Sequence, residues 1–111
     1  MIVELEGFPV YASKIEKAKE WMQFLKNHQA EVDQTLFAEH MQLEHIFSIT
    51  INKQFYLCWY SNQTETGPDV AQSLNPIDQM HVKYWDECID MSKPSLKFKL
   101  ENTFQLPKKE D

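Results

Sequence analysis

Apolar and polar residues alternate near both ends of the chain, and this two-residue period is that of a β-strand with one buried face. The first such segment is Met1–Leu5, which is ended by Gly7 and Pro9. The second is Leu96–Leu100, where leucine and phenylalanine alternate with lysine. We therefore expect one strand at each end of the sequence.

A helical period follows the first strand. Ser13 and Glu16 have the spacing of a capping box, in which two side chains satisfy free backbone N–H groups of a first helical turn. Neither glycine nor proline interrupts the sequence from there to Glu39, so we predict one long helix. Its apolar stripe consists of Ile15, Ala18, Met22, Leu25, Val32 and Leu36.

Two segments in the middle of the chain predict a β-hairpin. Alternation resumes over Met41–Ile51, and the short polar turn Asn52–Gln54 leads into Phe55–Tyr60. The segment Phe55–Tyr60 is apolar on both faces, so it needs cover on both sides of a sheet. Two helices cover only one of those sides. We therefore expect a second copy of the chain to cover the other, which makes the protein a homodimer.

A second helix is predicted after a polar loop over residues 62–74. Asn75 is a favoured N-cap residue, Pro76 suits the first helical position, and Pro94 stops the helix. The buried stripe of this helix consists of Ile77, Met80, Tyr84, Cys88 and Met91.

The resulting element order is β-α-β-β-α-β. With right-handed crossovers this order gives a ferredoxin-like α+β fold, a four-stranded antiparallel sheet with two helices on one face. We assign residues 1–106 to this single domain and residues 107–111 to a charged tail.

The net charge and the amino-acid composition limit the classes of partner that we expect this protein to bind. The 111 residues carry a net charge of −6 and include no arginine, the side chain best suited to bidentate contacts with guanine and phosphate. We therefore expect neither nucleic acid nor a membrane as partner, and no segment is long and apolar enough to cross a bilayer. Cys58 and Cys88 fit buried, reduced thiols of a cytoplasmic protein. The two glycines form no phosphate-binding loop, and no cofactor is expected.

A set of residues spread along the chain carries a resemblance to a known family. They are Trp21, Leu25, Glu31, Thr35-Leu36, Glu44, Phe47, Tyr56-Leu57, Tyr60, Ile77-Asp78-x-x-His81 and Trp85-x-Glu87-Cys88. This pattern resembles a bacterial domain-of-unknown-function family that is similar to the dimeric α/β-barrel group, in which two ferredoxin-like units bring their sheets together. The resemblance implies a fold and a dimer, and it selects no reaction.

Polar and aromatic residues on otherwise buried faces predict where a site would lie. Asp78, His81 and Trp85 share one helix face by their spacing of three and seven. If the two helices and the sheet converge, a cavity between them would hold the candidate set. The catalytic candidates are His81, Glu31 and Glu44; the ligand-binding candidates are Trp21, His28, Trp59, Asp78 and Trp85.

Alternative explanations apply to each candidate. His81 is either a general acid or base oriented by Asp78 or Glu44, or a histidine bonded to a backbone carbonyl or water. Asp78 is either part of the site or a cap of the helix that it begins. The tryptophans either line a flat ligand or fill core volume. The pairs His28-x-x-Glu31 and Asp78-x-x-His81 arise often by chance, so we predict no metal site.

Two functions therefore remain open at this level. The first is a small-molecule-binding protein or cofactor-independent enzyme with a cavity between sheet and helices. The second is a non-catalytic structural or interaction module that only homodimerises. The sequence leaves open whether the protein is an enzyme.

Overall fold

A computed structural model of the chain describes residues 2–64 and 73–107. Most of the loop predicted over residues 62–74 and nearly all of the predicted charged tail lie outside the described residues.

The described residues form a mixed α/β structure with a four-stranded antiparallel sheet and three helices. In chain order the elements are β1 (Ile2–Pro9), α1 (Ile15–Asn27), α2 (Gln29–Ala38), β2 (Met41–Ile51), β3 (Gln54–Gln63), α3 (Pro76–Cys88) and β4 (Leu96–Lys97). The strand order in the sheet is β2-β3-β1-β4, and each neighbouring pair is antiparallel. Within the described residues, no helix has both the length and the apolar character needed to cross a membrane.

The β2–β3 hairpin agrees with its prediction, and β2 has the predicted bounds. Ile51 pairs with Gln54, so only two residues form the loop. These are Asn52 and Lys53, whose φ angles of 49° and 67° are both in the left-handed region. A two-residue loop with two positive φ angles matches the right-handed twist of the strands that it joins. Strand β3 extends to Gln63, beyond its predicted end at Tyr60.

The single long helix predicted from Ser13 to Glu39 is wrong, because the chain leaves helical geometry at His28 (φ −116°, ψ 31°). In a continuous helix the carbonyl of Phe24 would accept the N–H of His28. Here the His28 imidazole donates from Nδ1 to that carbonyl at 2.8 Å, and the His28 N–H bonds the Leu25 carbonyl instead. The side chain thus replaces the backbone donor and separates α1 from α2.

The predicted capping box is also absent from this end of α1. Ser13 lies inside a 3₁₀ turn, Ala12–Lys14, and the N-cap position falls on Lys14. That residue makes no side-chain capping hydrogen bond. At α3 the prediction is confirmed, because Asn75 Oδ1 accepts from the Ile77 N–H at 2.9 Å.

Helix α3 ends at Cys88, ahead of the predicted stop at Pro94. Ile89 is extended because the chain rejoins the sheet there: Ile89 forms a bridge with Val10, and the Asp90 N–H bonds the Pro9 carbonyl at 2.9 Å. Met91 is therefore not part of the helix stripe and is 66% exposed.

The core lies between the sheet and α1 and α3. It consists of Val10, Ala18, Trp21, Leu57, Cys88 and Ile89, each 2% exposed or less. Ile46, Phe55 and Trp59 pack against it from the sheet, which defines the helix-facing side of β2 and β3. Alternation along the strands places the intervening residues on the opposite side.

We call this opposite side the outer face. It is formed on the hairpin by Leu43, His45, Phe47, Ile49, Ile51, Tyr56, Cys58 and Tyr60, with cross-strand pairs such as Phe47–Cys58 and Ile49–Tyr56. Phe47 is 56% exposed and Ile49 is 47% exposed. None of the described helices covers it.

The last strand is shorter than predicted. Only Leu96 and Lys97 pair with β1, opposite Gly7 and Glu6. Beyond them Phe98 is 51% exposed, although alternation predicted that it would be buried. The segment after β4 therefore contributes apolar side chains that the described chain leaves uncovered.

Candidate functional site

A cavity of ≈ 510 Å³ lies on the helix-facing side of the sheet. All three long strands and helices α2 and α3 contribute to its wall, and α1 contributes Leu25. The polar lining consists of Glu4, Glu6, Thr35, Glu39, Glu44, Ser61, Gln63, Asp78, His81 and Asp86. The apolar lining includes Phe8, Val32, Leu36, Met41, Trp59, Ile77, Val82 and Trp85.

The floor of the cavity is organised by one hydrogen bond between α1 and α3. Trp21 is fully buried, and its indole Nε1–H donates to His81 Nδ1 at 3.0 Å. An indole nitrogen is a donor only, so Nδ1 must be the unprotonated nitrogen of the imidazole. The proton of the neutral ring is therefore on Nε2.

The charge state of His81 follows from the same arrangement. Burial lowers the pKa of His81, against an opposing effect from the Asp78 charge. A second proton on Nδ1 would also face the Trp21 N–H. His81 is thus a neutral N–H donor at the cavity wall, and the general-base role proposed from sequence does not fit its nitrogen atoms.

Aromatic rings stiffen the wall around His81. The Trp59 ring lies 5.5 Å from Trp21 and 5.0 Å from Trp85, between centroids. Phe8 meets Trp85 edge to face at 4.7 Å. Trp21 fills core and does not line the cavity, whereas Trp59 and Trp85 do both. Of the two roles that the sequence leaves open for the tryptophans, Trp21 therefore only fills core volume, whereas Trp59 and Trp85 fill core volume and also line the cavity.

Two carboxyl groups in the wall have strongly perturbed acidity. Burial raises the pKa of Glu44, on β2, to about 7. Burial likewise raises the pKa of Glu39, at the end of α2, to about 7, with added repulsion from Asp78 and Glu44. Perturbed groups inside a cavity are a common property of functional sites.

Glu39 was missed by sequence reasoning. A single continuous helix would end at this residue, and the break at His28 changes which face of the later turns meets the sheet. At the helix-to-strand junction that follows, His40 has a φ of 61° and its carbonyl accepts from the Thr64 N–H at 2.9 Å, features of the fold that no sequence pattern indicates.

Asp78 is the most unusual polar group of the site. It is 8% exposed and lines the cavity, and among the described residues its carboxylate takes part in no hydrogen bond. The capping role considered for it is filled by Asn75 instead. Asp78 is therefore a buried acid whose hydrogen-bonding capacity is directed to the cavity.

The other predicted site residues lie elsewhere. His28 is held by the Phe24 carbonyl and ring, at 2.8 Å and 4.4 Å respectively, and does not line the cavity. Glu31 is exposed on α2 and does not line it either. Of the three catalytic candidates, the structure thus brings together His81 and Glu44. Across the described residues, no three His, Cys, Asp or Glu side chains are placed to hold a metal ion.

Fold and site together define a mixed α/β domain with an acidic, aromatic-walled cavity between its sheet and its helices. The chain matches a family of unknown function (DUF6176) over residues 1–111 and belongs to that family. Neither a curated protein nor a solved structure matches it. The resemblance to a family of unknown function is confirmed, and the function of the protein is uncharacterised.

Proposed function

We propose that the protein binds a small organic molecule in the cavity between sheet and helices. The observation that carries this proposal is Asp78, a buried carboxylate that lines the cavity without a hydrogen bond from any described residue. A carboxylate at a cavity wall that receives no hydrogen bond from the protein depends on solvent or on a ligand for one. A ligand that donates to Asp78 supplies that hydrogen bond.

The cavity also has the mixed lining of a ligand site. Trp59, Trp85 and Phe8 give an apolar wall, while His81 Nε2–H and the carboxyls of Glu44 and Asp78 are polar groups at defined positions. A largely apolar pocket with a few convergent polar groups is the usual form of a small-molecule site.

The enzymatic form of this proposal divides acid–base roles between two residues. A carboxyl whose pKa is about 7, such as Glu44, exchanges a proton readily near neutral pH. His81, whose pKa is lowered by burial and whose Nδ1 accepts from the Trp21 N–H, donates a hydrogen bond from Nε2 to an oxygen that gains negative charge. Cofactor-independent proton transfer next to a carbonyl group is the reaction class that suits this pair.

Binding is tested by screening fragments against the full chain with protein-detected NMR. We expect hits to shift the indole resonances of Trp59 and Trp85, and His81→Ala to abolish them. His45→Ala is the matched control, because His45 is exposed and stacks on Tyr60 on the outer face, at 5.8 Å. Hits that respond equally to both variants, or that shift only residues of the outer face, would contradict the proposal.

We further propose that two copies of the chain pair, which the sequence predicts for either function. The strand order β2-β3-β1-β4 with antiparallel neighbours supports a ferredoxin-like unit, and two such units would pair through their sheets as a dimeric α/β barrel. We place the unit in residues 1–106 and the protein in the cytoplasm, as its two free cysteines favour.

The outer face supports a second copy as the partner. Strands β1, β2 and β3 have 8, 11 and 10 residues. At about 3.3 Å per residue and about 4.8 Å between strands, they present roughly 15 by 30 Å. That is on the order of 500 Å² per copy, and the exposed apolar segment after β4 brings it nearer the ~800 Å² of a standard interface. On β2 and β3 this face has no Asp, Glu or Lys, so two copies would meet through it without repulsion between like carboxylates or ammonium groups.

Sedimentation equilibrium tests the pairing. A dimer that persists at micromolar concentration is the expected result. A chain that stays monomeric up to millimolar concentration would contradict it.

A further inference from the structure

Among the described residues, every charged side chain that lines the cavity is acidic. The six are Glu4, Glu6, Glu39, Glu44, Asp78 and Asp86. No lysine of the described ranges occurs in the lining, and the sequence has no arginine. The ion pairs found among the described residues join Lys14, Lys17 and Lys19 to glutamates on the surface of α1 and α3. The described part of the chain therefore gives the cavity negative groups and no positive group.

Asp78 is one of these groups and is buried in the cavity wall. It is 8% exposed and forms no hydrogen bond within the described chain. The charge that faces it across the cavity is Glu39, which has the same sign. His81 does not compensate, because burial lowers its pKa and its Nδ1 accepts from the Trp21 N–H. The Asp78 carboxylate would be satisfied by a ligand group that both donates a hydrogen bond and carries positive charge.

The aromatic part of the wall favours the same kind of ligand. Trp59, Trp85 and Phe8 turn ring faces and edges toward one another beside the carboxylates. The face of an aromatic ring carries partial negative charge and attracts cations, most strongly for tryptophan. Flat or aliphatic groups pack on the same rings.

We propose that the ligand of this cavity is an organic cation, a protonated amine attached to a flat or apolar body. The inference rests on the proposed function, that the cavity binds a small molecule. The ammonium group would lie between Asp78 and the carboxyls of Glu39 and Glu44, and the body against Trp59 and Trp85. A bare metal ion fits less well, since the described residues include no group of three or more acidic, His or Cys side chains with metal-binding geometry.

The acidity of the wall gives this ligand a distinctive pH dependence. Within the cavity the other titratable side chains are Glu4 and Glu6 from β1 and Asp78, His81 and Asp86 from α3. On its other side Glu44 borders a second pocket, whose titratable and charged lining is Lys19 and Lys26 from α1, Asp33 from α2 and His45 from β2. With the cavity empty, Glu39 and Glu44 are each partly protonated near pH 7 because their pKa values are about 7. A bound ammonium lowers both pKa values, so protons leave as it binds and its affinity rises from pH 6 to pH 8.

The test uses three indoles that share one flat body and differ in charge. They are tryptamine (cationic), tryptophol (neutral) and indole-3-acetate (anionic), titrated into the full chain by calorimetry at pH 6 and pH 8. We expect tryptamine to bind at least tenfold more tightly than tryptophol at pH 8, and indole-3-acetate to bind most weakly. Tryptamine binding should release protons, which is read from its dependence on the ionisation enthalpy of the buffer.

Two variants assign the effect to the buried acid. Asp78→Asn should weaken tryptamine by about tenfold, the loss of one charge-assisted hydrogen bond, and leave tryptophol unchanged. Asp33→Asn, on the exposed side of α2, removes the same charge outside the cavity and should change neither. Glu44→Gln is a second variant with an expected loss of proton release.

The outcomes separate this inference from the proposed function. If tryptophol or indole-3-acetate binds as tightly as tryptamine, or if Asp78→Asn and Asp33→Asn behave alike, the cation inference fails and the cavity remains a ligand site. The same holds if tryptamine, phenethylamine, choline and putrescine all fail to bind while uncharged fragments do. If no fragment of any charge binds, the proposed function fails.

Discussion

The indole of Trp21 and the imidazole of His81, on two different helices, share a hydrogen bond of 3.0 Å that runs from Nε1–H to Nδ1. The direction of this bond determines what His81 offers the cavity, namely an N–H and no free lone pair. The protonation of His81, which lines the cavity, therefore depends in part on Trp21, which does not line it.

The first prediction removes the Trp21 donor. In Trp21→Phe the His81 Nδ1 loses its donor, so we expect the pKa of His81 to rise toward its ordinary value. Stability should fall by about 1–3 kcal/mol, because a buried nitrogen is left unpaired and core volume is lost. An NMR titration of the imidazole and urea denaturation measure the two effects. Trp59→Phe is the control, since Trp59 donates nothing to His81; equal pKa values in both variants would refute the assignment.

The second prediction concerns the pH dependence of stability without ligand. The pKa of Glu44 is raised on folding, from 4.5 to about 7. Glu44 therefore does not affect folding stability below pH 4.5. Stability falls as the pH rises from 4.5 to about 7, and the destabilisation by Glu44 is largest above pH 7. Glu44→Gln should be more stable than the wild type by about 2–3 kcal/mol at pH 8 and equal to it at pH 4.5.

Chemical denaturation at several pH values checks this. Glu101→Gln, at an exposed position after β4, should leave the curve unchanged. A wild-type stability that is flat from pH 5 to pH 8 would show that Glu44 is better solvated than its surroundings indicate.

The third prediction tests a close approach in the sheet. A Cβ on Gly7 would lie 2.7 Å from Cys58 Sγ and 3.3 Å from the Leu96 side chain. Gly7→Ala should therefore destabilise the fold by about 1–3 kcal/mol, the usual effect of overpacking. Cys58→Ala removes the sulfur, so the double variant should recover part of the loss in a double-mutant cycle. Strict additivity of the two changes would contradict the contact.

The fourth prediction tests the outer face by placing a charge on it. Phe47→Lys buries a lysine in the proposed interface, so we expect it to weaken the dimer by tenfold or more. Phe37→Lys makes the same exchange at a residue of α2 that is 90% exposed, away from the outer face, and should leave the dimer intact. Sedimentation of both variants decides; equal behaviour would mean that the outer face is not where two copies meet.

Much of the fold was open to prediction because its signals are local. The bounds of β2, the hairpin and the Asn75 cap each depend on residues within a few positions of one another. The break at His28 was not open to prediction, because a histidine in a helical period gives no sign that its ring will take a backbone carbonyl. The length of β4 depends on pairing with β1, a partner distant in sequence.

The site residues were predicted only in part, because local sequence signals identify some of them and the others depend on packing between distant segments. His81, Asp78, Glu44, Trp59 and Trp85 were found because they are polar or aromatic at positions that periodicity assigns to a buried side. Continuing the period of α1 through the break put His28 and Glu31 in the set and left Glu39 out. The bond between Trp21 and His81 joins residues 60 positions apart, and only packing of the two helices creates it.

The position of β2 at one end of the strand order has a consequence for handling the protein. Its 11 residues contain no proline, and one edge of this strand has no neighbour in the described sheet. A long unpaired edge beside an apolar surface is a template on which further strands add. If two copies pair as proposed, variants that separate them should therefore be lost from solution on concentration.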